Sequence, residues 1–292
     1  MGENPTVSDI GVSLPWDYIS GNLLTSEASV LAELLGPAAN GLAFFADHGV
    51  SSIELRHRHP KSTTGDMRAA FLQLLDRAFT VTIHGEEPPQ AEGDGVSGMC
   101  PWMQTLNEID AGGDREIMIT QHPFTGIGEE RDLRAKTVGF LPQLLTERLG
   151  ADSGYRLALE NQRLKEIVDP GTSFHGIYGM WEEMANPRIG ICWDMGHSFA
   201  NTVKDKGYPV DPPAEFLDQV VHTHIHDLGP DGRTHWPFRE NRVPVERFMG
   251  LLKEHGYTGI YNLELSFDRF AQVDDTTVLL SKSIEMLKSL SE

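Results

Sequence analysis

The chain has 292 residues, of which 43 are acidic and 24 are basic, so its formal net charge is −19. That balance argues against a duplex-DNA binder, which gathers Lys and Arg on one face. The chain shows no apolar run near the roughly 18 residues that a membrane span needs, and no secretion signal. Because Cys100 and Cys192 are the only cysteines, a disulfide framework is not expected. We therefore expect a cytoplasmic protein that binds neither nucleic acid nor membranes.

Eight apolar runs are predicted as strands, and they alternate with segments of helical periodicity. The runs occupy residues 10–14, 52–56, 80–84, 116–121, 156–160, 189–194, 220–226 and 259–265. Apolar spacing predicts helices over residues 64–78, 133–149 and 276–290, with Pro142 expected to kink the second. Strands that alternate with helices favour parallel pairing and right-handed crossovers. The sequence therefore predicts an α/β fold, a single (β/α)8 TIM barrel over residues 1–292.

Two connections are longer than is usual between a strand and a helix. Residues 85–114 follow the third predicted strand and are rich in Gly, Pro and Glu, and residues 198–213 follow the sixth. Both are predicted on the face where the strands end. Long loops at that face cover active sites or take part in interfaces.

Ionisable side chains collect at the predicted strand ends, which share one face of a barrel. Four consecutive strands end with the four predicted ligands, Glu160, Asp194, His224 and Glu264. Three carboxylates packed in a water-poor cleft repel one another unless a cation neutralises them. Three oxygen ligands and one imidazole suit one divalent metal ion (Mn, Co, Mg or Zn), with Mn favoured. The alternative is a rim in which each carboxylate pairs with Arg or Lys, although few basic residues occur near these ends.

The runs "LEN", "WDMGH", "HTHIHD" and "GYTGIYNLEL" together resemble the xylose isomerase-like TIM barrel superfamily. That group includes sugar isomerases and epimerases, inosose-type dehydratases and the endonuclease IV branch. The resemblance implies that the four predicted ligands bind one metal ion. His224 is chosen because "HIHD" stands where the family usually reads His-Ile-Lys-Asp. His222 is then expected to be buried behind the ligands, and His226 to touch substrate.

The resemblance also implies further substrate contacts around the metal. His197 follows the metal-binding Asp by three residues, as a substrate-contacting His does in the family. The remaining candidates are His84, His122, Glu166 and Arg233. Independently of the resemblance, Glu54 is a candidate because it lies at the end of the second predicted strand, and Trp16 because its aromatic face could stack on a sugar ring. Some epimerases carry a substrate Arg six residues after the metal His. That position is Pro230 here, with Arg233 three residues further on, which weighs against a free-ketose 3-epimerase.

The reaction that this resemblance implies is proton transfer next to a carbonyl, in a metal-dependent sugar, keto-sugar or polyol isomerase or epimerase. Glu160 and Glu264 are the expected base and acid. The alternatives are a dehydratase or lyase, including one that cleaves carbon-linked glycosides, and an endonuclease IV-like phosphodiesterase. The phosphodiesterase branch carries Asp-x-His after strand seven, and Asp231 and His235 have the wrong spacing for it. Relatives often associate, so a homodimer is expected.

Overall fold

The computed structural model describes residues 9–85, 106, 116–148, 154–271, 273 and 275–292. Eight parallel strands close into a barrel in chain order, with the eighth strand hydrogen-bonded to the first. They are β1 (Ile10–Pro15), β2 (Ser52–Arg56), β3 (Thr80–His84), β4 (Ile117–Gln121), β5 (Tyr155–Glu160), β6 (Ile189–Asp194), β7 (Val220–Ile225) and β8 (Tyr261–Leu263). The predicted TIM barrel is confirmed, and each predicted strand overlaps an observed one.

Helices connect the strands on the outside of the barrel. In the described ranges they are α1 (Trp16–Ser20), α2 (Ser26–Leu35), α3 (Ala38–Asp47), α4 (Thr64–Asp76), α5 (Glu130–Gln143), α6 (Phe174–Met184), α7 (Met195–Lys204), α8 (Ala214–Leu217), α9 (Val245–Glu254), α10 (Phe267–Phe270) and α11 (Thr276–Ser291). Pro142 lies inside α5, which gives way directly to a π-helical turn at Leu144–Arg148. Proline has no N–H to donate, so the regular helical ladder is interrupted there.

The sixth strand shows how the sequence separates the core from the barrel interior. Trp193 is fully buried and packs edge-on or tilted against Phe174, Phe216 and Phe248, which lie between the barrel and the helices. Because successive strand residues face opposite sides, Asp194 points into the barrel. The pairing of β6 with β7 shifts register between Ile191 and Cys192, and beyond the shift the Cα atoms of Asp194 and His224 lie opposite each other.

The structure changes the interpretation of one predicted long loop. Residues 198–204 are helical, because α7 begins directly after β6 and runs to Lys204. Asp194 caps this helix, since its side chain accepts a hydrogen bond of 2.6 Å from the backbone N–H of His197. The prediction of a loop over residues 198–213 is therefore wrong for its first half. Apart from residues 85 and 106, the other predicted loop, 85–114, lies outside the described residues.

Within the described ranges, no single helix is long and apolar enough to cross a membrane. Helices α2 and α3 pass that test only as a pair, and they meet at a bend of 65°.

Candidate metal centre

The four predicted ligands meet at the carboxyl end of the barrel. One potential ligand atom from each of Glu160, Asp194, His224 and Glu264 lies within 4.8 Å of all the others. Nδ1 of His224 is 3.1 Å from Oε1 of Glu160 and 3.3 Å from Oε2 of Glu264. All four side chains are buried. The sequence could specify only the strand ends, and barrel closure brings them to one point.

The floor beneath these residues fixes the orientation of His224. Glu54 is fully buried, and its Oε2 is 3.1 Å from Nε2 of both His222 and His224. Burial by itself raises the pKa of Glu54, but the charge of His224 and the hydrogen bonds from both histidines hold it well below its usual range. An ionised carboxylate only accepts hydrogen bonds, so Nε2 of His224 carries a proton. In the neutral tautomer, Nδ1 then presents its lone pair to Glu160 and Glu264.

Several polar atoms of the centre are buried and have no hydrogen bond of acceptable geometry. They are both carboxylate oxygens of Glu160, Nδ1 of His224 and Oε2 of Glu264. An unsatisfied buried polar atom costs about 1–3 kcal/mol, and here several such atoms face one another. A proton or a metal cation satisfies them. Burial lowers the pKa of His224, but the facing groups, among them Glu54, Glu160 and Glu264, raise it well above its usual value. The donor set of three carboxylates and one imidazole fits a divalent cation.

One basic residue lies closer to the centre than the sequence suggested. Nη1 of Arg56 is 3.7 Å from Oε1 of Glu264, and its Nη2 is 2.7 Å from Oε1 of Glu27. Arg56 also donates a hydrogen bond to the backbone carbonyl of Leu265. In the described part of the chain, Glu160 and Asp194 have no Arg or Lys within ion-pair distance. The alternative, a rim in which each carboxylate pairs with Arg or Lys, therefore fits Glu264 but not Glu160 or Asp194.

Two histidines border Glu160 on one side of the centre. Nε2 of His122 is 2.8 Å and Nε2 of His84 is 3.3 Å from Oε2 of Glu160. Burial alone would lower the pKa of His84, but the hydrogen bond and charge of Glu160, with Glu264 and Glu54, raise it to about 9. Both side chains keep some exposure, 8% for His84 and 17% for His122. They could touch a substrate, or with Glu160 hold a further metal ion.

Three histidines border Asp194 on the other side. Nδ1 of His197 is 3.0 Å from Oδ2 of Asp194, and Nε2 of His226 is 3.1 Å from Oδ1. The backbone N–H of His235 donates to Nδ1 of His226 across 3.0 Å, so Nε2 of His226 carries the proton that points to Asp194. His226 is fully buried. Because it is buried behind Asp194, its position does not fit the substrate contact that was predicted for it.

His235 belongs to the site, although the sequence did not predict it there. Its ring stacks on His226 with centroids 4.4 Å apart, and its Nε2 is 3.9 Å from Oε2 of Glu264. Neither ring nitrogen has a hydrogen-bond partner among the described residues. Its left-handed backbone, with φ of 65°, is a conformation that sequence patterns seldom predict for a residue other than Gly. The one signal in the sequence is a histidine shortly after strand seven, and its spacing from Asp231 does not fit the Asp-x-His pattern.

Four further predicted substrate contacts lie away from the open centre. Glu54 forms the floor, where its oxygens also accept hydrogen bonds from Ser13 and Asn262. Trp16 belongs to the hydrophobic core, so its ring offers no open face for a sugar. Arg233 is exposed and its Nε lies 3.0 Å from Asp231. Glu166 is exposed and lines a separate groove. These placements do not fit the predicted contacts of Glu54 and Trp16.

Comparison with known proteins gives one family match that spans most of the chain. The model of the family described as "Xylose isomerase-like TIM barrel" matches residues 42–290. An uncharacterized protein of Methanocaldococcus jannaschii, MJ1311, is 26% identical over 131 residues, an alignment that covers 40% of this chain and 39% of the relative. The match therefore spans well under half of that relative's length.

Solved structures share the architecture over nearly the whole chain. A D-tagatose 3-epimerase-like protein is 18% identical with a TM-score of 0.62, covering 96% of this chain and 99% of its own. An L-ribulose 3-epimerase is 16% identical with a TM-score of 0.64, covering 97% and 94%. The IolI protein with a bound zinc atom is 13% identical with a TM-score of 0.62, covering 96% and 98%. At identities of 13–18%, the likeness establishes a common fold and nothing more.

Proposed function

Because the chain belongs to the xylose isomerase-like TIM barrel family, we propose that it is a divalent-metal-dependent isomerase or epimerase of sugars, keto-sugars or polyols. The reaction moves a proton on a carbon next to a carbonyl. The similarity to epimerase structures and to a zinc-containing IolI structure supports this proposal. The homodimer, the cytoplasmic location and the absence of nucleic-acid binding stay predictions.

The observation that carries the proposal is the orientation of His224. Its Nε2 is occupied by the ionised Glu54, and its Nδ1 faces Glu160 and Glu264, whose facing oxygens also lack hydrogen bonds. A metal ligand whose second nitrogen is fixed by a carboxylate is a frequent arrangement in metal sites. We infer that His224 would bind a cation through Nδ1, with Glu160, Asp194 and Glu264 supplying oxygens.

The bound cation would polarise the substrate carbonyl and make the adjacent C–H more acidic. Glu160 is the proposed base. Burial by itself raises the pKa of Glu160, but the charges of His122 and His224 hold it well below its usual range, so it is ionised at neutral pH. Glu264 is the proposed acid on the other side of His224. His197, beside Asp194, is a proposed hydrogen-bond partner for substrate hydroxyls.

A specific observation keeps a phosphodiesterase as the second candidate. Two of the further groups of possible ligands lie on either side of the centre, His84 with His122 and Glu160, and Asp194 with three histidines. Three metal ions would point to phosphodiester hydrolysis, whereas one ion supports the proposed sugar chemistry. The net charge of −19 opposes a nucleic-acid substrate. A dehydratase or lyase begins with the same proton removal and then expels a leaving group, such as a hydroxyl, from the β carbon.

The test combines metal analysis with solvent-deuterium exchange. The purified chain should retain about one divalent ion per molecule, and should incorporate deuterium into at least one member of a panel of ketoses, inososes and keto-glycosides. Removal of either carboxylate, in Glu160→Gln or Glu264→Gln, should lower the exchange rate at least ~100-fold, the typical contribution of general acid–base catalysis. Mass and NMR analysis of the product separates epimerisation from dehydration.

The matched control is Glu285→Gln, which removes an exposed carboxylate from α11. This variant should exchange at the wild-type rate. Normal exchange in both Glu160→Gln and Glu264→Gln would remove the proposed mechanism, and a stoichiometry of three ions per chain would favour the phosphodiesterase.

A further inference from the structure

The segment between β7 and α9 places the ring of His235 beside the candidate metal centre. Nε2 of His235 is 3.9 Å from Oε2 of Glu264. Both atoms are buried, and neither has a hydrogen-bond partner among the residues that the structure describes. The two side chains are only 14% and 5% exposed. The atoms are too far apart to bond to each other, but one small polar group could bridge them.

The backbone around His235 is held from three directions. Its N–H donates to Nδ1 of His226 across 3.0 Å, and its carbonyl accepts from the N–H of Ser266 across 3.0 Å. The carbonyl of Thr234 accepts from Nη1 of Arg269 across 2.6 Å. These hydrogen bonds hold His235 in a left-handed conformation, with φ of 65°, which is disfavoured for residues other than Gly. A strained backbone that its neighbours hold in place is typical of functional sites.

The neighbouring rings set the direction of the imidazole and keep it neutral. It stacks on His226 with centroids 4.4 Å apart, and it meets His197 edge to face with centroids 5.0 Å apart. Burial, and then the charges of His226 and His197, hold the pKa of His235 well below its usual value. A neutral imidazole has one N–H donor and one acceptor. Because no described residue engages either nitrogen, Nε2 is free to carry the proton and to face Glu264 with it.

The group that fits between these two atoms must both donate and accept a hydrogen bond. An oxygen at about 2.8 Å from each atom would accept the Nε2–H of His235 and donate to the carboxylate of Glu264, which only accepts. A hydroxyl does both. A carbonyl or a phosphate dianion cannot donate, and an ammonium cannot accept. The pair therefore selects a hydroxyl by its hydrogen-bonding chemistry.

Glu264 can accept this hydroxyl while it also serves the metal. Each carboxylate oxygen offers two acceptor positions, and Oε2 of Glu264 is also 3.3 Å from Nδ1 of His224, the nitrogen assigned to the cation. The other oxygen, Oε1, is 3.7 Å from Nη1 of Arg56. A hydroxyl bound to His235 would therefore lie next to the group that the cation holds.

We propose that His235 and Glu264 form a subsite for one hydroxyl of the substrate, and that His235 makes the chain select this hydroxylated compound over its deoxy analogue. The identity of the ligand as the substrate rests on the proposed function. Binding of a hydroxyl by the subsite does not require catalysis. A site that pairs with a hydroxyl rejects the analogue without it, because the buried protein groups are then left unpaired.

The first measurement is a calorimetric titration of the Mn²⁺-loaded full chain with xylitol, an uncharged polyol with a hydroxyl on every carbon. His235→Gly removes the ring and tolerates the left-handed backbone. It should raise the Kd for xylitol by about tenfold or more, as expected when a buried hydrogen-bonding group loses its partner. His235→Asn keeps an N–H donor, and Asn also tolerates this backbone, so its Kd should lie between the two.

The matched control is His57→Gly. His57 is also a histidine with a left-handed backbone, with φ of 49°, but its side chain is 57% exposed and pairs with Glu27. This variant should bind xylitol as the wild type does. The Tm and the Kd for Mn²⁺, which should change by about twofold or less in His235→Gly, show that the fold and the metal centre are intact.

Two results of this titration overturn the proposal. One is a Kd for xylitol that stays the same in His235→Gly, or a wild-type chain that does not bind xylitol. The other is the loss of one bound metal ion per chain in His235→Gly, which would assign His235 to a metal instead of a hydroxyl.

The second measurement follows solvent-deuterium exchange into the most reactive keto-sugar of the panel and into its monodeoxy analogues. For one analogue, the preference of the wild type for the parent compound should fall by about tenfold or more in His235→Gly, and for the others it should stay the same. An unchanged preference for every analogue overturns the role of His235. Absence of exchange into every keto-sugar overturns the proposed function instead, and the xylitol titration then decides the subsite by itself.

Discussion

Glu54 and Glu160 are two glutamates of the same barrel interior, both fully buried, and their surroundings differ. At the floor, Glu54 accepts hydrogen bonds from Ser13, Asn262 and two histidines. At the mouth, neither oxygen of Glu160 has a hydrogen bond of acceptable geometry, although histidines lie close to it. The two glutamates are equally buried, but the difference in their hydrogen bonds indicates different roles. The floor is built to hold His224 in place, and the mouth keeps acceptors available for a ligand.

The largest expected effect on stability separates these two glutamates. In metal-free protein, Glu54→Gln should lower the free energy of unfolding by about 3–5 kcal/mol, because it breaks a buried charged pair and leaves its partners behind. Glu160→Gln should cost less, about 1–3 kcal/mol, because it removes the attraction of the carboxylate to His122 and His224 but no hydrogen bond of acceptable geometry. Urea unfolding measures both. Equal losses in the two variants would contradict the contrast between floor and mouth.

Metal binding should stabilise the mouth by a somewhat smaller amount. At a free Mn²⁺ concentration of 100 times its Kd, the free energy of unfolding should rise by ~2.7 kcal/mol, and a chelator should reverse this. Glu160→Gln should lose most of the effect, and Glu285→Gln on α11 should keep all of it. Calorimetric scans with and without the ion give the values. An unchanged response in Glu160→Gln would show that the ion binds elsewhere.

A smaller effect is expected at His226, which donates a hydrogen bond to Asp194 from behind. His226→Phe removes the donor and should weaken metal binding about tenfold, as is typical when the partner of a metal ligand is lost. His226→Gln retains an N–H donor and should recover part of the affinity. Titration with Mn²⁺ measures both Kd values. If His226→Phe bound the ion as tightly as the wild type, Asp194 would not depend on this histidine for its position.

The smallest effect is the pH-dependent part of the stability at Glu27, a satisfied carboxylate like Glu54 but nearer the surface. Burial acts to raise the pKa of Glu27, but the charge of Arg56 and hydrogen bonds from His57 and Phe267 lower it below its usual value. A folded-state pKa below the unfolded value stabilises the protein above about pH 4.5, and this contribution is lost as the pH falls further. The Tm difference between wild type and Glu27→Gln should narrow from pH 7 to pH 3. A constant difference would contradict the pairing.

The sequence determined the fold and the composition of the centre. Buried parallel strands read as apolar runs, and seven of the eight end at or directly before an ionisable residue. Eight strands and the four predicted ligands could therefore be located without coordinates. The ligand roles stay predictions, but the structure does bring the four residues together. The helical start of α7 was missed, because residues 198–204 were interpreted as part of a loop. The sequence predicts Asp194 as a metal ligand, and the structure shows that it also caps that helix.

Only the tertiary structure decided which side chains from different strands contact one another. The tautomer of His224 depends on Glu54, 170 residues away in the sequence. His235 is a loop residue with a left-handed backbone, and its ring lies beside the centre. The end of a strand is a local property that hydrophobic periodicity encodes. The depth and partner of each side chain depend on the stagger and closure of the barrel, which no single segment contains.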